Sequence, residues 1–216
     1  MTALAIMQPY FFPYAGYFRL FAAADLFVIY DCVQFPRRGW VHRNRLPDAN
    51  GAPAWLNLPL EKAPRATAIK DLNFPADAAA RFAAQMRRFP VLSSDQPVMR
   101  NLTDFSGVSP VDYLERGLAD VCAALGLTCE ISRSSRLGIS PDIHGQERIL
   151  AIAEALGADR YVNAPGGGEL YQRQTFSERG IDLQILEPYR GSNWSMLHRL
   201  LSEPAEQLAV EIRQQT

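Results

Sequence analysis

Residues 3–31 read ALAIMQPYFFPYAGYFRLFAAADLFVIYD, and this stretch decides the fold. The apolar runs 3–7 and 26–30 predict two short strands, and apolar residues recur at helical spacing over 14–24 between them. Two strands joined by a helix predict a parallel pair with a right-handed crossover. Ligands bind beyond the carboxyl ends of the strands in sheets of this kind. We therefore expect a site formed by the loops that follow residues 7 and 30.

Outward from this stretch, helices and strands continue to alternate along the chain. The pattern predicts helices over 109–125, 145–156 and 169–179, a last helix ending at 201, and strands over 128–132, 161–163 and 181–186. Alternation of this kind predicts an α/β fold. We expect a Rossmann-like, three-layer arrangement of one parallel sheet with helices on both faces, in a single domain over 1–216.

The middle of the chain, residues 35–110, interrupts this pattern. Prolines, a glycine and several arginines over 35–50 indicate a loop. The segments 55–60 and 68–74 are predicted as a pair of strands, and 77–89 as a helix. Residues 35–110 are therefore predicted as an irregular insertion or subdomain.

Composition excludes several broad classes of protein. The 22 basic and 23 acidic residues nearly cancel, which argues against a surface built to bind nucleic acid or an anionic membrane. No long apolar run and no signal-peptide pattern is present, so we expect a cytoplasmic protein without membrane contact. The three cysteines and three histidines lack pairing or ligand spacings. They predict reduced thiols, no metal site and no evident cofactor.

The first 45 residues differ from this average. They hold half of the chain's aromatic residues, and their five arginines face only two aspartates. The loop after the first strand, 8–17, is so rich in aromatic rings that some must line a cleft or a partner surface. Its candidates for substrate binding are Gln8, Tyr10 and Tyr17, and Tyr14 is a catalytic candidate. The alternative is that these rings only cap the core beneath the middle segment.

The segment after the second strand carries the second group of candidates. Asp31 stands at the strand end, where it can bind a hydroxyl or act as a base, and Gln34 is a further catalytic candidate. Charge and directional hydrogen bonds suited to phosphate come from Arg43, Asn44 and Arg45. Trp40 can stack on a base or a sugar. The alternative is a solvated basic loop.

A third group of candidates follows the strand near residue 161. Asn163, Gly166, Gly167 and Tyr171 stand in or beside a glycine-rich turn that can direct backbone N–H groups at an anion. Neither of the common glycine-rich nucleotide motifs is present, so a plain tight turn is an equal alternative. Ser195 is a last candidate for substrate binding, and it can equally be an ordinary helix cap.

Several of these motifs resemble the WbqC-like family. The similarity covers nearly the whole chain, and the matching motifs are MQPYFFPY at 7–14, GY at 16–17, FVIYD at 27–31, VQ at 33–34, GW at 39–40, RNR at 43–45, the glycine-rich turn, F176, GI at 180–181, LEP at 186–188 and WS at 194–195. Members are encoded among genes for bacterial O-antigen and other surface polysaccharides. The resemblance therefore implies a biosynthetic pathway more than one reaction.

The pattern also resembles, distantly, the nucleotidylyltransferase fold. Tyr14 and Tyr17 occupy the places of the two histidines in the H-x-G-H motif of that fold. Tyrosine, with a pKa of about 10, cannot replace a neutral imidazole that becomes charged in the transition state. Nucleotide binding is compatible with this resemblance. Nucleotidyl transfer by the histidine mechanism is not.

Three functions are compatible with the sequence. The first is a transferase that modifies an activated, nucleotide-linked sugar, for example by acyl or aminoacyl transfer, with nucleic acid involved only as an aminoacyl carrier. The second is a nucleotidylyltransferase-like enzyme with tyrosines in place of the histidines. The third is a non-catalytic protein that binds a nucleotide sugar or serves as a scaffold.

Overall fold

Seven strands and seven α-helices are present in the computed structural model, which describes residues 2–94 and 96–216. The strands are β1 (Ala3–Met7), β2 (Leu26–Ile29), β3 (Arg43–Pro47), β4 (Pro53–Asn57), β5 (Glu130–Arg133), β6 (Arg160–Asn163) and β7 (Asp182–Ile185). The helices are α1 (Ala15–Ala23), α2 (Ala78–Met86), α3 (Pro110–Ala124), α4 (Gly145–Ala155), α5 (Arg173–Glu178), α6 (Met196–Ser202) and α7 (Ala205–Arg213).

Five of the strands form one parallel sheet in the order β5-β2-β1-β6-β7. From β1 the chain adds β2 and β5 on one side, then returns to add β6 and β7 on the other. The order reverses between β1 and β6, so their carboxyl ends form the topological switch point where such sheets bind ligands. The prediction of a Rossmann-like α/β fold is confirmed.

Apolar side chains alternate along β1 and divide the core into two layers. Ala3 and Ala5 pack into one cluster, while Leu4 and Ile6 pack into the other. The first cluster contains buried residues of α1, α3, α6 and α7, and the second contains those of α4 and α5. Residues on successive strand positions face opposite sides of a sheet. Helices therefore cover both faces, as the three-layer prediction requires.

The middle segment contains an antiparallel hairpin of β3 and β4, so the predicted pairing of 55–60 with 68–74 is wrong. Asn44 and Leu46 of β3 are buried, and Arg45 between them is exposed, which is a strand period of two. The outward-facing side chains of this strand include arginine, so in the sequence the segment resembles a polar loop. Ile69–Asp71 is only a short 3₁₀ turn.

Helix boundaries differ from the sequence expectation in the C-terminal third. The helix predicted over 169–179 covers only Arg173–Glu178, because Pro165–Gly167 forms a separate 3₁₀ turn before it. Helix α7, which the sequence pattern described above does not predict, packs its apolar face on α1. The remaining predicted helices and strands agree with the structure to within a few residues.

Candidate functional site

A groove of three neighbouring cavities runs along the edge of the sheet where the parallel strands end. The switch-point cavity, of about 430 Å³, lies at the ends of β1 and β6. The tryptophan cavity, of about 310 Å³, contains Trp40, and the β5 cavity, of about 550 Å³, lies at the ends of β2 and β5. Tyr10 and Tyr14 line the first two cavities, and Tyr30 lines the switch-point and β5 cavities. The groove lies at the sheet edge where the topology predicts a site.

Most of the sequence candidates line this groove. Those at the switch-point cavity are Gln8, Tyr10, Tyr14, Tyr17, Asn163, Gly166, Gly167 and Tyr171. Those at the tryptophan cavity are Tyr10, Tyr14, Trp40, Asn44 and Arg45, and Gln34 lines the β5 cavity. Asp31, Arg43 and Ser195 line none of the three cavities.

The switch-point cavity depends on a close contact between Asn163 and Gly167. The Asn163 side chain is buried, and its Oδ1 accepts a hydrogen bond of 2.8 Å from the backbone N–H of Ala164. A Cβ atom added to Gly167 would lie 2.1 Å from Asn163 Nδ2, whereas one added to Gly166 would meet open space. Glycine is therefore required at position 167 and not at position 166.

We expect Gly167→Ala to lower the free energy of unfolding by about 1–3 kcal/mol, because the buried Asn163 amide must move away from its backbone partner. Gly166→Ala is the matched control and should change that free energy by less than about 0.5 kcal/mol. Urea denaturation of both variants measures the difference. Equal stability of the two alanine variants would show that the contact is not a constraint.

Two tyrosines separate the switch-point cavity from the tryptophan cavity. Burial raises the pKa of Tyr10 and of Tyr14 above the ordinary value of 10.0, so both phenols stay protonated near neutral pH. They can donate a hydrogen bond to a ligand oxygen and are unsuited to act as bases. The hydroxyl of Tyr17 is already occupied, because it donates a hydrogen bond of 2.7 Å to the carbonyl of Gln8.

The loop after β1 is held in place by side chains from distant parts of the chain. Phe12 has a φ of 40°, which is unfavourable for a residue other than glycine. Its carbonyl accepts hydrogen bonds from Asn44 Nδ2 at 2.7 Å and from Ser195 Oγ at 2.6 Å. Asn44 Nδ2 also donates to the carbonyl of Phe11, at 3.0 Å. Asn44 and Ser195, both predicted to bind substrate, therefore position this loop, and Ser195 also caps α6 by accepting a hydrogen bond from the N–H of Leu197.

Two tryptophans and two arginines form a stacked platform beside the loop. The Arg43 guanidinium lies 4.2 Å from the ring centre of Trp55 and donates from Nη2 to the carbonyl of Arg38. Arg45 lies 5.6 Å from the rings of both Trp40 and Trp55. Arg45 is exposed, and it forms no ion pair with any residue that the structure describes. Arg45 is therefore the arginine of the pair that can meet a ligand phosphate.

Asp31 lies outside the groove in a buried hydrogen-bond network. It is completely buried, and its carboxylate accepts hydrogen bonds from the hydroxyl and backbone N–H of Ser135 and from the hydroxyl of Ser134. A general base must reach the proton that it removes. This geometry favours a structural role for Asp31, which joins the ends of β2 and β5, over the predicted catalytic one.

Several residues of the groove were not sequence candidates. Tyr30 directly follows β2, and its place at the end of a predicted strand marks it as a candidate. Arg148 and His144 belong to the start of α4, and both line the β5 cavity. No local motif marks these two residues, because their place at the groove depends on the position of the helix across the sheet.

Comparison with known proteins gives the family. The model of the WbqC-like protein family matches residues 8–199. The chain belongs to the WbqC-like protein family. This WbqC-like chain is 26% identical over 198 residues to the uncharacterized protein Rv1507c of Mycobacterium tuberculosis, an alignment that covers 84% of the chain and 80% of that protein. No solved structure matches the chain.

The family match spans the elements that form the groove of this WbqC-like protein. It starts at Gln8, directly after β1, and ends at Arg199 in α6. The resemblance carried by the motifs is thereby confirmed. Within residues 2–94 and 96–216, no helix has the length and apolar character needed to cross a membrane. The same residues contain no group of three or more His, Cys, Asp or Glu side chains that could hold a metal ion.

Proposed function

We propose that this WbqC-like protein is a cytoplasmic transferase that modifies an activated, nucleotide-linked sugar in the assembly of a surface polysaccharide or glycoconjugate. The observation that carries the proposal is the groove at the switch point, where sheets of this order bind nucleotides. The tryptophan cavity of this groove offers aromatic rings for a base or sugar and the exposed Arg45 for phosphate. Of the described residues that line its three cavities, none is acidic. A negatively charged ligand therefore meets no carboxylate there.

The parts of the ligand are assigned by the chemistry of the cavities. Residues lining the switch-point cavity are uncharged, which suits a sugar or base held by the Asn163 region and Gln8. The tryptophan cavity presents Trp40 for stacking and Arg45 for the diphosphate. Tyr10 and Tyr14 stand between the two cavities, so they would face the middle of a ligand that spans both.

Acyl or aminoacyl transfer is the reaction that we propose. The amine of an amino sugar attacks the carbonyl carbon of the donor, the C–N bond forms, and the bond to the leaving group breaks as the amine proton is released. The protonated Tyr10 and Tyr14 would donate hydrogen bonds to the oxygen on which negative charge develops. An amine nucleophile needs less base assistance than a hydroxyl, which is consistent with Asp31 lying outside the groove.

Isothermal titration with UDP-, GDP- and dTDP-linked sugars tests the proposal. We expect one of these to bind, and Arg45→Ala to weaken that binding by about tenfold or more because a charge-assisted contact to phosphate is lost. Arg87→Ala removes the same charge from the exposed end of α2 and should leave the affinity unchanged. Full affinity in Arg45→Ala would refute the assignment of the tryptophan cavity to the diphosphate.

A second candidate function is non-catalytic binding of the same ligand. The observation that favours it is the burial of Asp31, the one carboxylate that the sequence suggested as a base. Incubation of the bound nucleotide sugar with acyl or aminoacyl donors, including aminoacyl-tRNA, distinguishes the two functions by product formation. Nucleotidyl transfer has less support, because the hydroxyl of Tyr17 is bonded to the protein backbone. Release of pyrophosphate from a mixture of nucleoside triphosphates and sugar phosphates would support nucleotidyl transfer.

A further inference from the structure

The β5 cavity has the composition of an anion site, although Gln34 is the one sequence candidate among its described lining residues. It is the largest of the three cavities, at about 550 Å³, and it lies where β2, β5 and α4 meet. Its basic lining residues are Lys70, His144 and Arg148, and no Asp or Glu side chain is among the described residues that line it. Lys70 is exposed and pairs with Asp71, so Arg148 is the more informative of these groups.

Arg148 is a buried arginine that forms no ion pair with a carboxylate of residues 2–94 or 96–216. The residue is only 6% exposed. Its Nη1 donates to the carbonyls of Ser140 and Ile143, at 2.8 Å and 3.2 Å, while its Nε is buried without an acceptor among the described residues. A buried guanidinium normally has an anionic partner, because an uncompensated buried charge is strongly destabilising. The open space beside Arg148 is the β5 cavity.

The acidic groups nearest to this region are engaged elsewhere. Asp31 lies beneath the cavity, and its carboxylate accepts hydrogen bonds from Ser134 and Ser135. Glu147, beside Arg148 in the sequence, forms an ion pair with Arg179 on the exposed side of α4. Asp142, in the loop before α4, accepts a hydrogen bond from the hydroxyl of Ser140. None of these three carboxylates forms an ion pair with the Arg148 guanidinium, which leaves its charge available to an anionic ligand.

The amino-terminal end of α4 adds a second attraction for an anion. This helix has eleven residues, and His144 at its N-cap contributes no side-chain hydrogen bond to the first turn. The first backbone N–H groups of a helix lack intrahelical acceptors and carry partial positive charge. His144, Gly145 and Arg148 all line the β5 cavity. The helix end and the unpaired guanidinium therefore lie at the same cavity.

We propose that the β5 cavity is a phosphoryl-binding site in which Arg148 and the first turn of α4 hold the phosphate oxygens. Nη1 is bonded to two carbonyls and Nε is buried, so Nη2 is the part of the Arg148 guanidinium left for a ligand. A charged donor and a helix N-terminus both suit the oxygens of a phosphoryl group. Tyr30 alone is shared between this cavity and the switch-point cavity. A phosphorylated molecule in the β5 cavity can thus extend toward the switch point as a second ligand. This site is additional to the diphosphate position proposed at Arg45.

Titration with inorganic phosphate at constant ionic strength, followed by phosphorus NMR, tests this proposal without any sugar. We expect Arg148→Met to weaken phosphate binding by about tenfold or more, since it removes the charged donor and keeps a similar volume. Gln34→Glu is a second variant that leaves Arg148 intact and adds a carboxylate to the cavity from an exposed position. It should weaken binding as well. Arg87→Met, on the far exposed end of α2, should bind phosphate as the unmodified protein does.

Each outcome of this titration decides the proposal. Phosphate binding that is equal in the unmodified protein and in folded Arg148→Met overturns it, and so does binding of acetate with no binding of phosphate. A phosphate monoester such as glucose 1-phosphate should compete with inorganic phosphate. If Arg148→Met loses the binding of both, the result supports a site for phosphorylated molecules. If phosphate binding depends on Arg148 while no nucleotide-linked sugar binds, this inference stands and the proposed function fails. If a nucleotide-linked sugar binds while phosphate binding does not depend on Arg148, the proposed function stands and this inference fails.

Discussion

Asp31→Ala is expected to lower the free energy of unfolding by about 3–5 kcal/mol, because it leaves buried donors without an acceptor. The Asp31 carboxylate accepts hydrogen bonds of 2.9 Å from Ser134 Oγ, 2.9 Å from Ser135 N–H and 2.6 Å from Ser135 Oγ. These contacts join the end of β2 to the 3₁₀ turn that follows β5. Chemical denaturation measures the loss.

Asp31→Asn separates this structural role from a catalytic one. The amide keeps one acceptor oxygen, so we expect a smaller loss of about 1–2 kcal/mol and little change in turnover or ligand affinity. Asp182→Asn, an exposed carboxylate at the edge strand β7, is the control and should change stability by less than about 0.5 kcal/mol. A folded, ligand-binding Asp31→Asn protein without turnover would restore Asp31 as the catalytic base.

Asn44→Ala is the second change with a large expected effect. It removes two donated hydrogen bonds, to the carbonyls of Phe11 and Phe12, and one accepted from the N–H of Arg45. We expect a loss of about 2–4 kcal/mol in the free energy of unfolding, since the two hydrogen bonds to the phenylalanine carbonyls are buried. Ligand affinity should also fall by about tenfold, because Phe12 is free to leave its strained φ and the loop that carries Tyr10 relaxes.

The control for this change is Asn50→Ala, in the exposed turn of the same hairpin. The side chain of Asn50 makes no hydrogen bond with the described residues, so stability and affinity should stay unchanged. A double-mutant cycle of Asn44→Ala with Ser195→Ala tests the mechanism directly. The two side chains share the Phe12 carbonyl and should show non-additive losses of stability. Strict additivity would argue that they act independently of the loop.

The sequence was sufficient to predict the sheet and the edge at which the groove lies. The apolar runs of β1 and β2 and the helical spacing in α1 are strong signals because all three elements are buried. The hairpin of β3 and β4 was missed, because its outward-facing arginines resemble a loop and its inward-facing Asn44 is polar. Polarity of a residue is visible in a sequence, but the direction of its side chain is not.

The same limit applies to the site. The sequence marks Asp31 as a catalytic candidate and Asn44 and Ser195 as binding candidates, and in the structure their side chains hydrogen-bond to other residues of the protein. Arg148 escaped notice because it stands in an ordinary amphipathic helix. Only the packing of α4 against the sheet shows that Arg148 is buried, with no ion pair to a carboxylate in the part of the chain that the structure describes. Whether a polar group is satisfied internally is a property of tertiary structure.

The hydrogen bond between Ser195 and the carbonyl of Phe12 joins residues 183 positions apart. During synthesis the aromatic loop leaves the ribosome long before the serine that fixes it. At ordinary translation rates of about 5–20 residues per second, that delay is roughly 10–40 s. The nascent chain can therefore form β1 and β2 early, but it cannot have a finished binding groove until its last helices emerge. A ligand of the groove therefore cannot stabilise a chain whose synthesis stops before α6, because the loop after β1 then lacks its hydrogen bond to Ser195.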